Sequence, residues 1–149
     1  MKKIFLILLF FTVSCGYTPI NQSNNKAYSI TKFELNGNNQ INKIIKKNFD
    51  RYNSEKNFKS QFQINLSSQL IKKTNSKNKS GKNSNLSLKI LVNSEILKEG
   101  KTLKELNFEE ITNYNSLDNK FELKQYEKIL IKDLTKKILD RIHFILSTN

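Results

Sequence analysis

Hydrophobic residues in this chain follow three spacings: an unbroken run at the start, strict alternation, and steps of three and four. The unbroken run is Ile4 to Phe11. Alternation first appears at Thr31, Phe33 and Leu35, set against Lys32 and Glu34, and predicts a half-buried strand. Asn36-Gly37-Asn38-Asn39 interrupts it, with Asn39 as the candidate helix cap. Ile41, Ile44, Ile45, Phe49 and Tyr52 then fall within one arc of about 140°, the apolar face of a helix. Lys43, Lys46, Lys47 and Asp50 lie outside that arc.

The period then changes to two. Phe58, Ser60, Phe62, Ile64, Leu66, Ser68 and Leu70 alternate with Lys59, Gln61, Gln63, Asn65, Ser67 and Gln69, the clearest strand signal in the chain. A polar, basic loop is expected from Asn75 to Asn85. Beyond it Leu86, Leu88, Ile90, Val92 and Ile96 predict a third strand, and Glu99-Gly100 a turn. The fourth strand runs from Leu103 to Tyr114, with Leu106 and Phe108 on one side and a bulge expected at Glu109-Glu110-Ile111. Asp118 or Asn119 caps a long final helix. Its expected core face holds Leu123, Tyr126, Leu130, Ile131, Leu134, Ile138, Phe144 and Ile145. Phe121, Leu139 and Leu146 form a second apolar ridge, with Ile142 between the two.

The order is therefore β-α-β-β-β-α. The crossover helix makes the first two strands parallel, and the short later connections make the others antiparallel. With one apolar face per element, both helices belong on the same side of a four-stranded mixed sheet. The predicted fold is an α+β two-layer sandwich. The basic loop lies at one end, and the N-terminus, the Glu99-Gly100 turn and the C-terminus lie at the other. About a dozen strand residues, ~40 Å at ~3.3 Å each, separate the two ends.

Composition changes this picture mainly at the chain start. Lys+Arg 26 against Asp+Glu 13 gives a net charge of +13, which by itself would suggest a polyanionic partner. Asn, Lys, Ile and Ser are inflated together, however, as an AT-rich genome would produce, so charge alone does not choose a ligand. Lys2 and Lys3 precede the apolar run, and small residues follow it, the layout of an export signal over residues 1–14. The run is too short to span a bilayer, which takes about 20 apolar residues. Export removes nucleic acid as a partner. Thr12-Val13-Ser14-Cys15 resembles the lipobox of bacterial lipoproteins, and Cys15 is the only cysteine. Acylation at Cys15 would hold the protein on a membrane, since each buried CH₂ contributes ~0.8 kcal/mol. Residues 15–27, with the only proline at Pro19, then form a lipidated tether, and residues 28–149 the domain.

A leader ending in Cys15-Gly16-Tyr17-Thr18-Pro19, a tether, and then β-α-β-β-β-α resembles the LPS-assembly lipoprotein LptE family, in its alphaproteobacterial form. The resemblance implies an outer-membrane lipoprotein on the periplasmic side that plugs and helps assemble the LptD β-barrel. It also implies a role in moving lipopolysaccharide to the outer leaflet. Another envelope lipoprotein, either a lipid-transport subunit or a cell-wall-binding module, is the alternative class.

Within that frame Lys72, Lys73, Lys77, Lys79 and Lys82 are candidate contacts for lipid A phosphates or for acidic groups inside the barrel. A plain solvated hairpin would carry the same lysines. The ridge of Phe121, Leu139 and Leu146 is the candidate partner contact, or else residual burial under the neighbouring helix. His143, the only histidine, is expected opposite the core face, without a metal or catalytic role. Glu109 and Glu110, adjacent on a strand, point to opposite faces and form no carboxylate pair. Nothing resembles a phosphate loop or a nucleophile elbow. The expectation is a binding protein, with no enzyme activity and no cofactor.

Overall fold

The computed structural model describes residues 28–53 and 60–149. The leader, Cys15, the tether and the expected strand start at Phe58 lie outside the described residues. The elements are β1 (Tyr28–Gly37), α1 (Asn39–Phe49), β2 (Ser60–Lys77), β3 (Asn83–Lys98), β4 (Lys101–Asn115) and α2 (Lys120–Ser147). The sheet order is β1-β2-β3-β4, with β1 parallel to β2 and the other neighbours antiparallel. The four-stranded mixed sheet with two helices is the architecture the residue pattern predicted.

Alternation decides which side of the sheet is dry. On β2, Phe62, Ile64, Leu66 and Ser68 are buried while Gln61, Gln63, Ser67 and Gln69 are exposed. Leu88, Ile90, Val92 and Ile96 continue the dry face on β3, and Phe108 and Tyr114 on β4. Ile41, Ile45 and Phe49 of α1 close one part of it, and Ile131, Leu134, Ile138, Leu139, Ile142 and Leu146 of α2 the rest. Helix residues and strand residues form a single cluster. The layers are sheet and helices, nothing more.

Local chemistry corrects several expectations. Asn38, not Asn39, caps α1: its Oδ1 accepts from the Gln40 and Ile41 amides at 3.0 and 3.2 Å. At the other helix Asn119 does the same for Phe121 and Glu122. β1 carries a bulge at Thr31, between Ile30 and Lys32, so Ile30 rather than Thr31 shares the dry side with Phe33. No bulge occurs at Glu109-Glu110-Ile111; the β3–β4 register instead shifts between Ile96 and Leu97. Glu110 points toward α2 and pairs with Arg141 at 3.1 Å, whereas Glu109 faces the other way onto Lys89 at 2.6 Å. The loop expected over Asn75–Asn85 shrinks to residues 78–82, because β2 runs to Lys77 and β3 begins at Asn83. With 18 residues β2 is longer than the dozen expected, roughly 60 Å of strand.

One close approach sets the crossover. Gly37 ends β1 at φ +95, and a Cβ there would lie 2.0 Å from the Ser68 carbonyl oxygen. That carbonyl accepts from the Asn38 amide at 3.0 Å, and the Ser68 hydroxyl donates to Asn42 Oδ1 at 2.6 Å. The start of α1 is thus fastened directly to β2. At the opposite end Glu99 and Gly100 both have positive φ, the signature of a two-residue type I′ hairpin turn.

Gly37→Ala is expected to destabilise the protein by ~3 kcal/mol or more, since strained φ and a backbone collision add. Gly81→Ala, with positive φ but open space around it, should cost about 1 kcal/mol. Urea unfolding of both variants checks the difference; equal losses would mean the close approach contributes nothing.

Candidate functional site

The tip where β2 turns into β3 is an ordered hairpin. Asn78 Oδ1 accepts from the Ser80 amide, the Ser80 hydroxyl and the Lys82 amide at 3.1, 2.8 and 2.9 Å. Gly81, at φ +78, returns the chain, and its amide donates to the Asn78 carbonyl at 2.9 Å. Below the turn, side-chain amides run across the strands: Asn75 donates to Asn85 at 2.9 Å and to Asn113 at 3.2 Å. The Ser116 amide donates to the Ser84 carbonyl at 2.9 Å, drawing the start of α2 to the same end. A concavity of about 620 Å³ lies there, with Lys82, Lys120 and Asp118 in its lining.

The five candidate lysines are all exposed, but they do not share one surface. Lys72 lies on the helix side of β2 and forms an ion pair with Glu127 of α2. Glu127 also accepts from the Tyr114 hydroxyl at 2.6 Å. Burial would raise the Glu127 pKa, but hydrogen bonds from Lys72 and Tyr114, with the Lys72 charge, hold it below the ordinary carboxylate value. Burial first, and then Glu127, push the Tyr114 pKa up. Lys73, next along the strand, takes the opposite face. Lys77, Lys79 and Lys82 remain together at the turn.

The second candidate set also divides. Phe121 is exposed, at 68%, but Leu139 and Leu146 are buried in the core, each at 2%. Phe144, expected in the core, is 69% exposed, and Tyr126 and Ile129 are exposed on α2 as well. The core face of α2 is therefore rotated by about 90° from the expected one. Ile131, Leu134, Ile138, Ile142 and Leu146 keep unbroken steps of three and four, whereas the expected face jumps from Ile138 to Phe144. Continuity of the ladder was the available signal, and aromatic content masked it.

His143 does not point to solvent. Its ring stacks on Tyr52 at 4.2 Å between centroids and meets the edge of Phe49 at 6.1 Å. Tyr28 stacks on Tyr52 in turn, at 5.5 Å and 7° between planes. Nε2 lies 2.5 Å from Asn48 Oδ1, which only accepts, so Nε2 carries the proton and Nδ1 accepts from the Tyr28 hydroxyl. This junction joins β1, the end of α1 and the last turns of α2. Burial lowers the His143 pKa to about 4, against an opposing pull from Asp140.

Among the described residues no three His, Cys, Asp or Glu side chains gather to hold a metal, and no helix is long and apolar enough to cross a membrane. No family model and no curated protein matches the sequence. The fold does match solved structures. Rare lipoprotein B from Shewanella oneidensis is 13% identical with TM-score 0.53, over 74% of this chain and 92% of that one. A putative lipoprotein from Caulobacter crescentus CB15 is 11% identical with TM-score 0.56, over 80% and 88%. A minor lipoprotein from Acinetobacter baumannii is 14% identical with TM-score 0.51, over 76% and 90%. At such identities the likeness is one of fold: this chain shares its two-layer architecture with those structures.

Three variants probe these placements. His143 binds a proton more readily unfolded, near pH 6.5, than folded, near 4, so its contribution is full above pH 6.5 and is lost as pH falls toward 4. The loss reaches ~3 kcal/mol, and His143→Gln should flatten the slope in that window; denaturation profiles parallel to wild type would refute the buried neutral ring. Leu139→Ala should cost 2–4 kcal/mol, roughly, and Phe144→Ala within about 0.5 kcal/mol of nothing. Thermal melts of the pair check which face of α2 is the core.

Proposed function

We propose that this chain is an outer-membrane lipoprotein, anchored through Cys15 on the periplasmic side, that acts by binding and scaffolding rather than by catalysis. It serves as the LptE-type companion of an LptD-like β-barrel, plugging it and helping lipopolysaccharide reach the outer leaflet. The observation that carries this reading is a coincidence of two independent features. The chain starts with Lys2-Lys3, an apolar run and Cys15-Gly16-Tyr17-Thr18-Pro19, the layout of a lipoprotein leader, and it continues into a fold found in solved structures of bacterial lipoproteins.

The sheet's outer side is suited to the role. A barrel lumen is polar, and Gln61, Gln63, Ser67, Gln69, Asn93, Asn107 and Asn113 offer amides and hydroxyls along that side, with Ile71, Leu91 and Ile111 as an apolar spot among them. Lys77, Lys79 and Lys82 form the cationic end, and Phe121 remains an exposed apolar contact near the start of α2. Lys72 is the weakest of the lysine candidates, because Glu127 already balances it.

Native extraction should recover the protein with a large β-barrel, and its depletion should leave that barrel misassembled. Cys15→Ala should remove the acyl mass from the mature protein and release it from the membrane fraction. A protein that stays monodisperse and never meets the barrel overturns the plug role; an unmodified thiol at Cys15 overturns the anchor. Charge reversal of Lys77, Lys79 and Lys82 together should weaken lipopolysaccharide binding more at low salt than at moderate salt.

A further inference from the structure

The helix layer carries a second cationic feature, distant in sequence from the tip and built from two separate elements. Between α1 and α2 lies an open depression of about 570 Å³, walled by Lys43, Lys47 and Arg51 on one side and Lys132 and Lys136 on the other. Asp140 is the carboxylate in its lining. Lys43 and Lys47 are four residues apart on α1, as Lys132 and Lys136 are on α2, so each pair stacks on one helix face and repels itself. Packing the helices side by side then sets one row of ammonium groups against the other.

Some cations elsewhere are balanced one by one. Lys32, Lys46, Lys72, Lys89 and Arg141 each have a carboxylate within ion-pair distance. Lys46 makes the contrast sharp: on the same helix as Lys43 and Lys47, but not in the groove lining, it pairs with Asp50 at 3.1 Å. Among the described residues Lys43, Lys47, Lys132 and Lys136 form no ion pair. A genome-wide bias toward lysine raises the number of lysines everywhere; what is particular here is that two pairs of lysines, each spaced by four residues and carried on separate helices, line one furrow.

We propose that this inter-helix groove is an anion site for a phosphate group, free or carried as a monoester on a lipid. Tetrahedral phosphate has acceptor oxygens directed to several sides and about two negative charges near neutral pH. It can therefore take ammonium donors from both walls at once, where a carboxylate would satisfy one wall. Asp140 lowers the total charge without closing the site. The inference goes beyond the barrel-plug role and does not require it, since it rests on the helix layer alone.

The test uses the whole protein near neutral pH, with melting followed against inorganic phosphate and against sodium chloride at equal ionic strength. Phosphate should raise the melting temperature more than chloride does. The variant K43Q/K47Q/K132Q/K136Q should bind phosphate about tenfold more weakly or worse, while K101Q/K104Q/K124Q/K128Q, an equal loss of charge outside the groove lining, retains the shift. All eight positions are exposed, and circular dichroism with a urea midpoint verifies that both variants fold. Sedimentation with phosphatidylcholine vesicles, with and without phosphatidic acid, identifies the source. Groove-dependent retention by phosphatidic acid points to a lipid monoester; a phosphate shift without retention points to a soluble one; either upholds the site. Phosphate no better than chloride, or a groove variant that keeps the full shift, overturns it. So does a groove variant that loses a protein partner while wild type ignores phosphate, which would assign the lysines to acidic side chains of that partner.

Discussion

Parallel pairing of β1 along β2 is the contact on which the remaining structure depends. β2, β3 and β4 follow one another through tight connections, so their pairing closes short loops. β1 has no such help: it meets β2 only after the chain has passed through α1. Its seat is the approach of Gly37 to the Ser68 carbonyl, where the Asn38 amide and the Asn42 side chain complete the join. Because the helix begins at that point, Ile41, Ile45 and Phe49 come down over Ile30, Phe62 and Ile64. Both features that set this domain apart, the aromatic junction around His143 and the lysine groove, require α1 to lie beside α2, and therefore require that join.

The sheet divides labour between its sides. Its dry side receives both helices; its wet side carries amides and hydroxyls whose hydrogen-bonding capacity is available to a polar wall. Charged groups lock the edge of the helix layer. Arg141 pairs with Glu110 and lies over the Phe108 ring at 5.1 Å, and Lys72 and Tyr114 converge on Glu127. Exposed pairs of this kind contribute little individually, but Glu127, only 14% exposed at its side chain, joins β2, β4 and α2 in one network. That network ties the tip half of the domain together, as the His143 junction ties the other half.

A net charge of +13 thus has a structure within it. Among the described residues some cations are balanced across the strand–helix seam, some sit at the hairpin tip, and some are stacked in two rows between the helices. Each portion has its own physical meaning. The seam contributes to stability, whereas the tip and the groove present unbalanced charge to whatever anion approaches.

How much of this could be read from residues alone follows from the range of the forces involved. Strand alternation, the Glu99-Gly100 turn and the parallel first pair were legible, because period, turn chemistry and crossover handedness are local or topological. Lys72 and Lys73 are adjacent in sequence but apart in space, because neighbours on a pleated strand face opposite ways. The turn itself was shorter than its polar residues suggested, since Asn75 and Asn85 form cross-strand bonds as readily as they form loops. On α2 the helical period is plain, but two apolar stripes compete, and the aromatic Phe144 hides the unbroken ladder that ends at Leu146. Contact with the sheet made that choice, and the same rotation carried His143 among Tyr28, Phe49 and Tyr52. The groove lay further still from view: Lys43 and Lys132 are each ordinary solvent-facing helix residues, and they acquire a shared role only when packing brings two helices, remote along the chain, to the same furrow.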